Sequence, residues 1–168
     1  MKLRGRAGPL GPPNKMNHIP DNLPQRLKLP HTIPSWVRED AIFFITICCT
    51  PSGANHLCSD SVSAVIWESL DFRQKRGDWY VHLWLLMPDH LHALVSFPRE
   101  AHPTRVLAGW KEIIAKKIKI QWQRDFFDHR LRSDESHAEK AHYIRQNPVR
   151  KGLVAHAADW KYAWEPPH

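Results

Sequence analysis

The first sustained apolar run of the chain, Ala41-Ile42-Phe43-Phe44-Ile45-Thr46-Ile47-Cys48-Cys49-Thr50, is β-branched and aromatic and is closed by Pro51-Ser52-Gly53. It predicts a buried strand. Next, Ser59 or Asp60 offers an N-cap, and Val62, Val65, Ile66, Ser69 and Leu70 recur on one helical face up to about Arg76, with Gly77 as the stop. A second apolar run, Trp79 to Met87, is punctuated by Pro88-Asp89 and followed by a third, His90 to Phe97, which predicts a hairpin. From Pro103 to about Gln123 the helical period returns through Val106, Leu107, Trp110, Ile113, Ile114, Ile118 and Gln121. The segment Asp125 to Arg132 reads as a short fourth strand. Ser133 or Ser136 then caps a last helix, Ser136 forming a capping box with Glu139, and Pro148 ends it.

The order strand, helix, strand, strand, helix, strand, helix predicts an α+β fold: a ferredoxin-like antiparallel sheet with helices on one face, plus a C-terminal helix carrying Tyr143. Upstream, residues 1–34 mix Pro, Gly and basic side chains with no apolar period, as in Gly8-Pro9-Leu10-Gly11-Pro12-Pro13. They read as a flexible arm, inert or DNA-gripping, ahead of one catalytic domain over 35–168.

Composition narrows the function classes. Lys and Arg number 24 against 17 Asp and Glu among 168 residues, a net +7 that suits a polyanionic partner. The 3 Cys, two of them adjacent, do not form a disulfide framework and suit a reducing compartment. No stretch approaches the roughly 20 apolar residues of a membrane span, and the basic N-terminus lacks the apolar core of a secretory signal. The expectation is a cytoplasmic protein.

Strand side chains alternate, so His90 and His92 project to one side while Leu91 turns into the core behind them. Imidazoles are common metal ligands, and two of them leave room for a third ligand and for substrate oxygens. Among the 12 histidines a His-x-His also arises by chance. Its position at the head of a strand in an apolar hairpin, where unpartnered imidazoles are costly to bury, strengthens the metal reading. Of the 3 tyrosines, Tyr80 begins a strand, Tyr162 lies in an aromatic tail with Trp160 and Trp164, and Tyr143 lies on the last helix. Asn147 stands one turn after Tyr143 on the same face, so a phenol and an amide oxygen share an outlook. His56 and Cys58 lack a second pair for a zinc site, and Trp160 and Trp164 read as packing a C-terminal segment on the sheet.

Two segments, Met87-Pro88-Asp89-His90-Leu91-His92-Ala93-Leu94-Val95 and Tyr143-Ile144-Arg145-Gln146-Asn147-Pro148-Val149-Arg150-Lys151-Gly152-Leu153-Val154, resemble the two signatures of single-strand DNA tyrosine transposases of the HUH endonuclease class. The likeness is to the members associated with repetitive extragenic palindromes. The blocks Trp110 to Lys117 and Trp122 to Arg132 are similar to further parts of that family, so the resemblance runs over about residues 34–164.

The resemblance implies a Mg²⁺ or Mn²⁺ ion held by His90, His92 and Asn147, with Gln146 as the alternative third ligand, since many relatives place Gln in that turn. It implies Tyr143 as the nucleophile that cleaves single-stranded DNA near hairpins through a 5′-phosphotyrosine and rejoins it. Arg105, Lys116, Lys119, Arg130, Arg132, Arg145, Arg150 and Lys151 are the candidates for tracking phosphates. A monomer is expected over a homodimer. The rival readings are a domesticated sequence-specific DNA-binding protein without turnover, and an RNA-binding or other ferredoxin-like module whose histidines are structural.

Overall fold

The computed structural model describes residues 41–131 and 137–166. The N-terminal arm, Arg132, and the proposed caps Ser133 and Ser136 lie outside the described residues.

Strand β1 (Ile42–Thr50) alternates half-buried and buried positions along its length. Phe43, Ile45, Ile47 and Cys49 point into the core. The polar-tolerant set Phe44, Thr46 and Cys48 faces the other way, because successive strand side chains take opposite faces. Helix α1 (Asp60–Arg76) follows, with the Ser59 side chain accepting from the Val62 amide and Gly77 closing it at φ 82°. Gly77 N–H donates to the Gln74 carbonyl at 3.0 Å and Asp78 N–H to Arg73 at 3.0 Å, the wrap typical of a left-handed C-terminal cap. A Cβ at Gly77 meets nothing within 4 Å. Gly77→Ala is therefore expected to destabilise by about 1–2 kcal/mol through the left-handed backbone alone, read as a lowered urea midpoint with an unchanged m-value.

The chain then forms β2 (Tyr80–Leu86) and β3 (His90–Ser96), helix α2 (Pro103–Ile118), short strands β4 (Gln121–Trp122) and β5 (Phe127–Arg130), helix α3 (His137–Arg145), helix α4 (Asn147–Arg150), a 3₁₀ turn (Ala157–Asp159) and β6 (Ala163–Trp164). Strand β3 lies between β1 and β2 and is antiparallel to both. Strand β5 pairs with residues 43–46 of β1 and β4 with residues 49–50. Because both partners of β3 run antiparallel to it, β1 and β2 are parallel, joined by α1 as a crossover. By the same reasoning β3 and β5 are parallel, joined across α2. These interleaved units are the ferredoxin-like α+β arrangement expected from the element order, extended by β4 and β6.

The differences from expectation are physical. Helix α2 stops at Ile118 because Lys119 takes a left-handed conformation, φ 56°. Ile120, just ahead of β4, and Trp122 within it then pack against the core, a contribution that apolar spacing cannot tell from a further helical turn. Strand β2 carries a bulge between Val81 and Leu83. The bulge inverts the alternation, so Val81, Trp84 and Leu86 join one core and Leu83, Leu85 and Met87 another.

Those two cores lie on opposite faces of the sheet. Helices α1 and α2 cover the face of Ile45, Leu91 and Val95 with Ile66, Leu70, Leu107, Trp110 and Ile114. Helix α3 covers the reverse face, packing Ala141 and Ile144 on Leu83, Leu85, Met87 and Leu94. The tyrosine-bearing helix is thus the cover of the second face. Among the described residues no helix is long and apolar enough to cross a membrane.

Candidate active site

His90 and His92 leave β3 on the face that α3 covers, with Leu91 fully buried on the other side as their spacing requires. Their rings stand 4.9 Å apart, centroid to centroid, at 77°. Register supplies each with a neighbour: His90 lies opposite Cys48, and His92 opposite Thr46. The Nδ1 of His92 is 2.9 Å from Thr46 Oγ1, and the Nδ1 of His90 is 2.7 Å from Asp89 Oδ1. A carboxylate only accepts, so His90 Nδ1 carries a proton, and in the neutral imidazole Nε2 keeps the lone pair. If Nδ1 of His92 likewise donates to the Thr46 hydroxyl, both Nε2 atoms are ligand-ready.

The turn that carries Asp89 is itself clamped. Gly53 N–H donates to Asp89 Oδ2 at 2.6 Å, Cys49 N–H to the Asp89 carbonyl at 2.7 Å, and the His56 and Leu57 amides to the Pro88 carbonyl at 2.8 and 3.1 Å. Burial alone raises the Asp89 pKa, but the hydrogen bonds from His90 and Gly53 and the charge of His90 outweigh it, leaving the carboxyl below its ordinary value. Burial pushes His92 down to about 3, with smaller contributions from the charges of His90 and Arg150. His92 is therefore neutral at physiological pH, the state a metal ligand requires.

Above the histidines, the second wall is built from α3 and α4. Phe44 stacks on His92 at 5.6 Å. The Lys140 ammonium lies over the Phe44 ring at 5.3 Å and over the Tyr143 ring at 5.9 Å. Tyr143 is half exposed and carries the Arg150 guanidinium over its ring at 4.2 Å. Asn147 is buried, and its Oδ1 accepts from Arg150 Nη2 at 2.9 Å, while the same Nη2 donates to the Tyr143 carbonyl at 2.9 Å. The expected single helix is broken here. Helix α3 ends at Arg145 and Asn147 opens α4, because Pro148 has no N–H to continue the ladder but is well suited to a first helical turn. Asn147 thus starts a new helix instead of closing the old one, and the half-buried Gln146 is its N-cap.

The structure brings His90, His92, Tyr143 and Asn147 to one face of the sheet, bridged by Phe44, Lys140 and Arg150. It divides the basic candidates. Arg145 is bound to Glu165 at 2.8 and 2.9 Å, while Arg150 is exposed against the Tyr143 ring and Lys151, next to Arg150 in sequence, is exposed. Arg130 is half buried on β5. Arg105, Lys116 and Lys119 belong to α2 and its cap, on the reverse layer, where Lys116 pairs with Glu112 at 2.6 Å. Thr46, Phe44 and Lys140 escaped the sequence reading, since their relevance arises only from strand register and helix docking. Asp89 had a local signal, adjacency to His90.

Among the described residues no three His, Cys, Asp or Glu side chains cluster at metal-binding separation. On the same face as His90 and His92, buried Asn147 carries an amide oxygen that would join them as a neutral donor, with Gln146 beside it as the alternative. Nitrogen and amide-oxygen donors suit Mn²⁺ and, with water completing the shell, Mg²⁺. Burial pushes the Cys49 and Cys58 thiols up to about 12 and raises that of Cys48, and all three are free.

No family model matches the chain. Over 88 residues it is 27% identical to the REP-associated tyrosine transposase of Escherichia coli (strain K12), a match covering 49% of this chain and 52% of that one. The chain resembles the REP-associated tyrosine transposases in sequence. A putative REP-associated tyrosine transposase of Haemophilus influenzae (strain ATCC 51907 / DSM 11121 / KW20 / Rd) is 27% identical over 95 residues, covering 46% of this chain and 54% of its own. The chain thus spans about half the length of these two curated relatives. An uncharacterized protein of the same Haemophilus strain is 24% identical over 152 residues, 67% of this chain and 82% of its own. The solved structure of a REP-associated tyrosine transposase bound to a REP hairpin superposes with a TM-score of 0.63 at 18% identity, covering 78% of this chain and 80% of that one. The two share a fold.

Proposed function

We propose that the chain is a transposase-like enzyme that cleaves and rejoins single-stranded DNA beside a hairpin, with Tyr143 as nucleophile and a Mg²⁺ or Mn²⁺ ion on His90, His92 and Asn147. The observation that carries this reading is the shared face: two imidazoles with Nδ1 engaged lie beneath the helix that bears Tyr143. Such an ion supplies Lewis-acid polarisation of the scissile phosphate. Tyr143 Oη attacks phosphorus, the P–O3′ bond breaks, and the phenolic proton is accounted for on the departing 3′-OH. The 5′ end stays on the protein as a phosphotyrosine, and a 3′-OH reverses the step to join strands.

One phosphodiester replaces another, so the exchange is nearly balanced in energy and needs no nucleotide. Lys140, over the Tyr143 ring at 5.9 Å, keeps positive charge beside the nucleophile. Arg130, Arg150 and Lys151 remain candidates for contacting phosphates. The hairpin bound by a protein of the same fold supports a hairpin partner. One chain supplies every named residue, so a monomer suffices, and free thiols suit the cytoplasm.

The test is incubation with hairpin-bearing single-stranded oligonucleotides and Mn²⁺. A covalent protein–DNA adduct is expected, abolished by chelation and by His90→Ala with His92→Ala. Tight binding with no adduct would instead identify a DNA-binding protein without turnover. Asp89→Asn, which cannot hold the His90 Nδ1–H as a carboxylate does, is expected to weaken Mn²⁺ binding about 10–100-fold by calorimetry while leaving the fold intact.

A further inference from the structure

The amide oxygen assigned to the ion already has a partner. Arg150 Nη2 donates to Asn147 Oδ1 at 2.9 Å and to the Tyr143 carbonyl at 2.9 Å, while the guanidinium carbon sits 4.2 Å from the centre of the Tyr143 ring. A single side chain therefore ties the nucleophile and the third ligand into one unit. Asn147 is only 9% exposed. A buried amide oxygen left without a donor is costly, and Arg150 removes that cost when no ion is present. Arg150 itself lies at the surface, where a strand phosphate can reach it.

A cation on the second lone pair of Asn147 Oδ1 would sit close to the guanidinium. Like charges at that separation oppose one another, so the two compete for the oxygen. A DNA phosphate offers Arg150 a stronger, charge-assisted and bidentate partner than a neutral amide.

We propose that Arg150 is a substrate-operated latch: it holds Tyr143 and masks Asn147 until a DNA phosphate draws it away and frees the amide oxygen for the ion. This deepens the proposed function and rests on it. The consequence is positive coupling between strand and ion, reciprocal by linkage. The latch is a positioning device, since Arg150 acts on the reaction through Tyr143 and Asn147.

The experiment uses the Tyr143→Phe background, which keeps the ring and prevents turnover. Mn²⁺ affinity is measured with and without a hairpin-bearing single-stranded oligonucleotide at low salt, where phosphate contacts alone secure binding. DNA is expected to tighten Mn²⁺ about tenfold, within the usual span of coupled sites. Added Arg150→Gln is expected to bind Mn²⁺ more tightly without DNA and to lose most of that gain. An undiminished gain in Arg150→Gln, or weaker Mn²⁺ binding without DNA, overturns the latch.

A second, metal-free measurement separates the two claims. The Asn147 side-chain amide resonances should move, on adding DNA, toward their positions in Arg150→Gln. If they move but Mn²⁺ binding survives His90→Ala with His92→Ala, the ion site is wrong and only the DNA-driven release of Asn147 by Arg150 stands. If DNA binds and they stay, the latch is wrong and the ion site is untouched.

Discussion

Tyr143→Phe is expected to remove the covalent adduct, slowing strand cleavage on the order of 10³-fold or more, the scale on which losing a covalent nucleophile is felt. The substitution is informative because it deletes one atom from a ring whose surroundings remain. The Arg150 guanidinium over the ring and the nearby Lys140 ammonium contact the aromatic face, which Phe also has. Ala141 and Ile144, not Tyr143, anchor α3 on the sheet. Stability and hairpin binding should therefore stay close to the parent, measured by denaturation and by fluorescence anisotropy of labelled DNA. An adduct formed at the parental rate would move the nucleophile to another side chain and defeat the proposed chemistry.

Trp110→Ala should cost about 3–5 kcal/mol, a large part of the 5–15 kcal/mol that holds a typical domain together. Trp110 is fully buried, and its ring lies 4.9 Å from Trp84, 5.7 Å from Trp122 and 6.2 Å from Trp79. It is the side chain through which α2, the sheet and the turn back along β4 meet. No acceptor for its indole N–H is found among the described residues, nor for that of Trp84. Trp110→Phe removes that donor and keeps much of the ring, so it should cost far less than Ala. Urea unfolding of both variants decides the matter: equal losses would mean that the full indole shape, not buried area, governs this core. Because α2 lies on the layer opposite the candidate site, the Ala variant should lose activity only as it loses folded protein.

The local part of this molecule was readable in one dimension. The caps of α1, Ser59 and Gly77, stand where the residue types placed them, and the Pro88-Asp89 break separates β2 from β3 as expected. The end of α2 was not readable, because Ile120 and Trp122 continue an apolar spacing that a left-handed Lys119 converts into a strand. Neither was the break before Asn147. A proline marks a boundary, but whether it ends one helix or opens the next depends on what the following turn packs against.

The candidate site divides in the same way. That His90 and His92 share a side, and that Tyr143 and Asn147 lie about one turn apart, follows from strand and helix periods, which act over a few residues. The pairing of Thr46 with His92 comes from strand register across 46 positions of sequence. The face on which α3 docks comes from the Leu83, Leu85, Met87 and Leu94 surface, which the β2 bulge creates by inverting the alternation. Arg150, in sequence one basic residue among many, becomes the bridge between Tyr143 and Asn147 once α4 folds back. Sequence by itself determined the elements and which residues could act, because backbone periodicity is local. Only the tertiary structure decided which of them meet, because register, docking face and side-chain bridges are contacts between segments far apart in the chain.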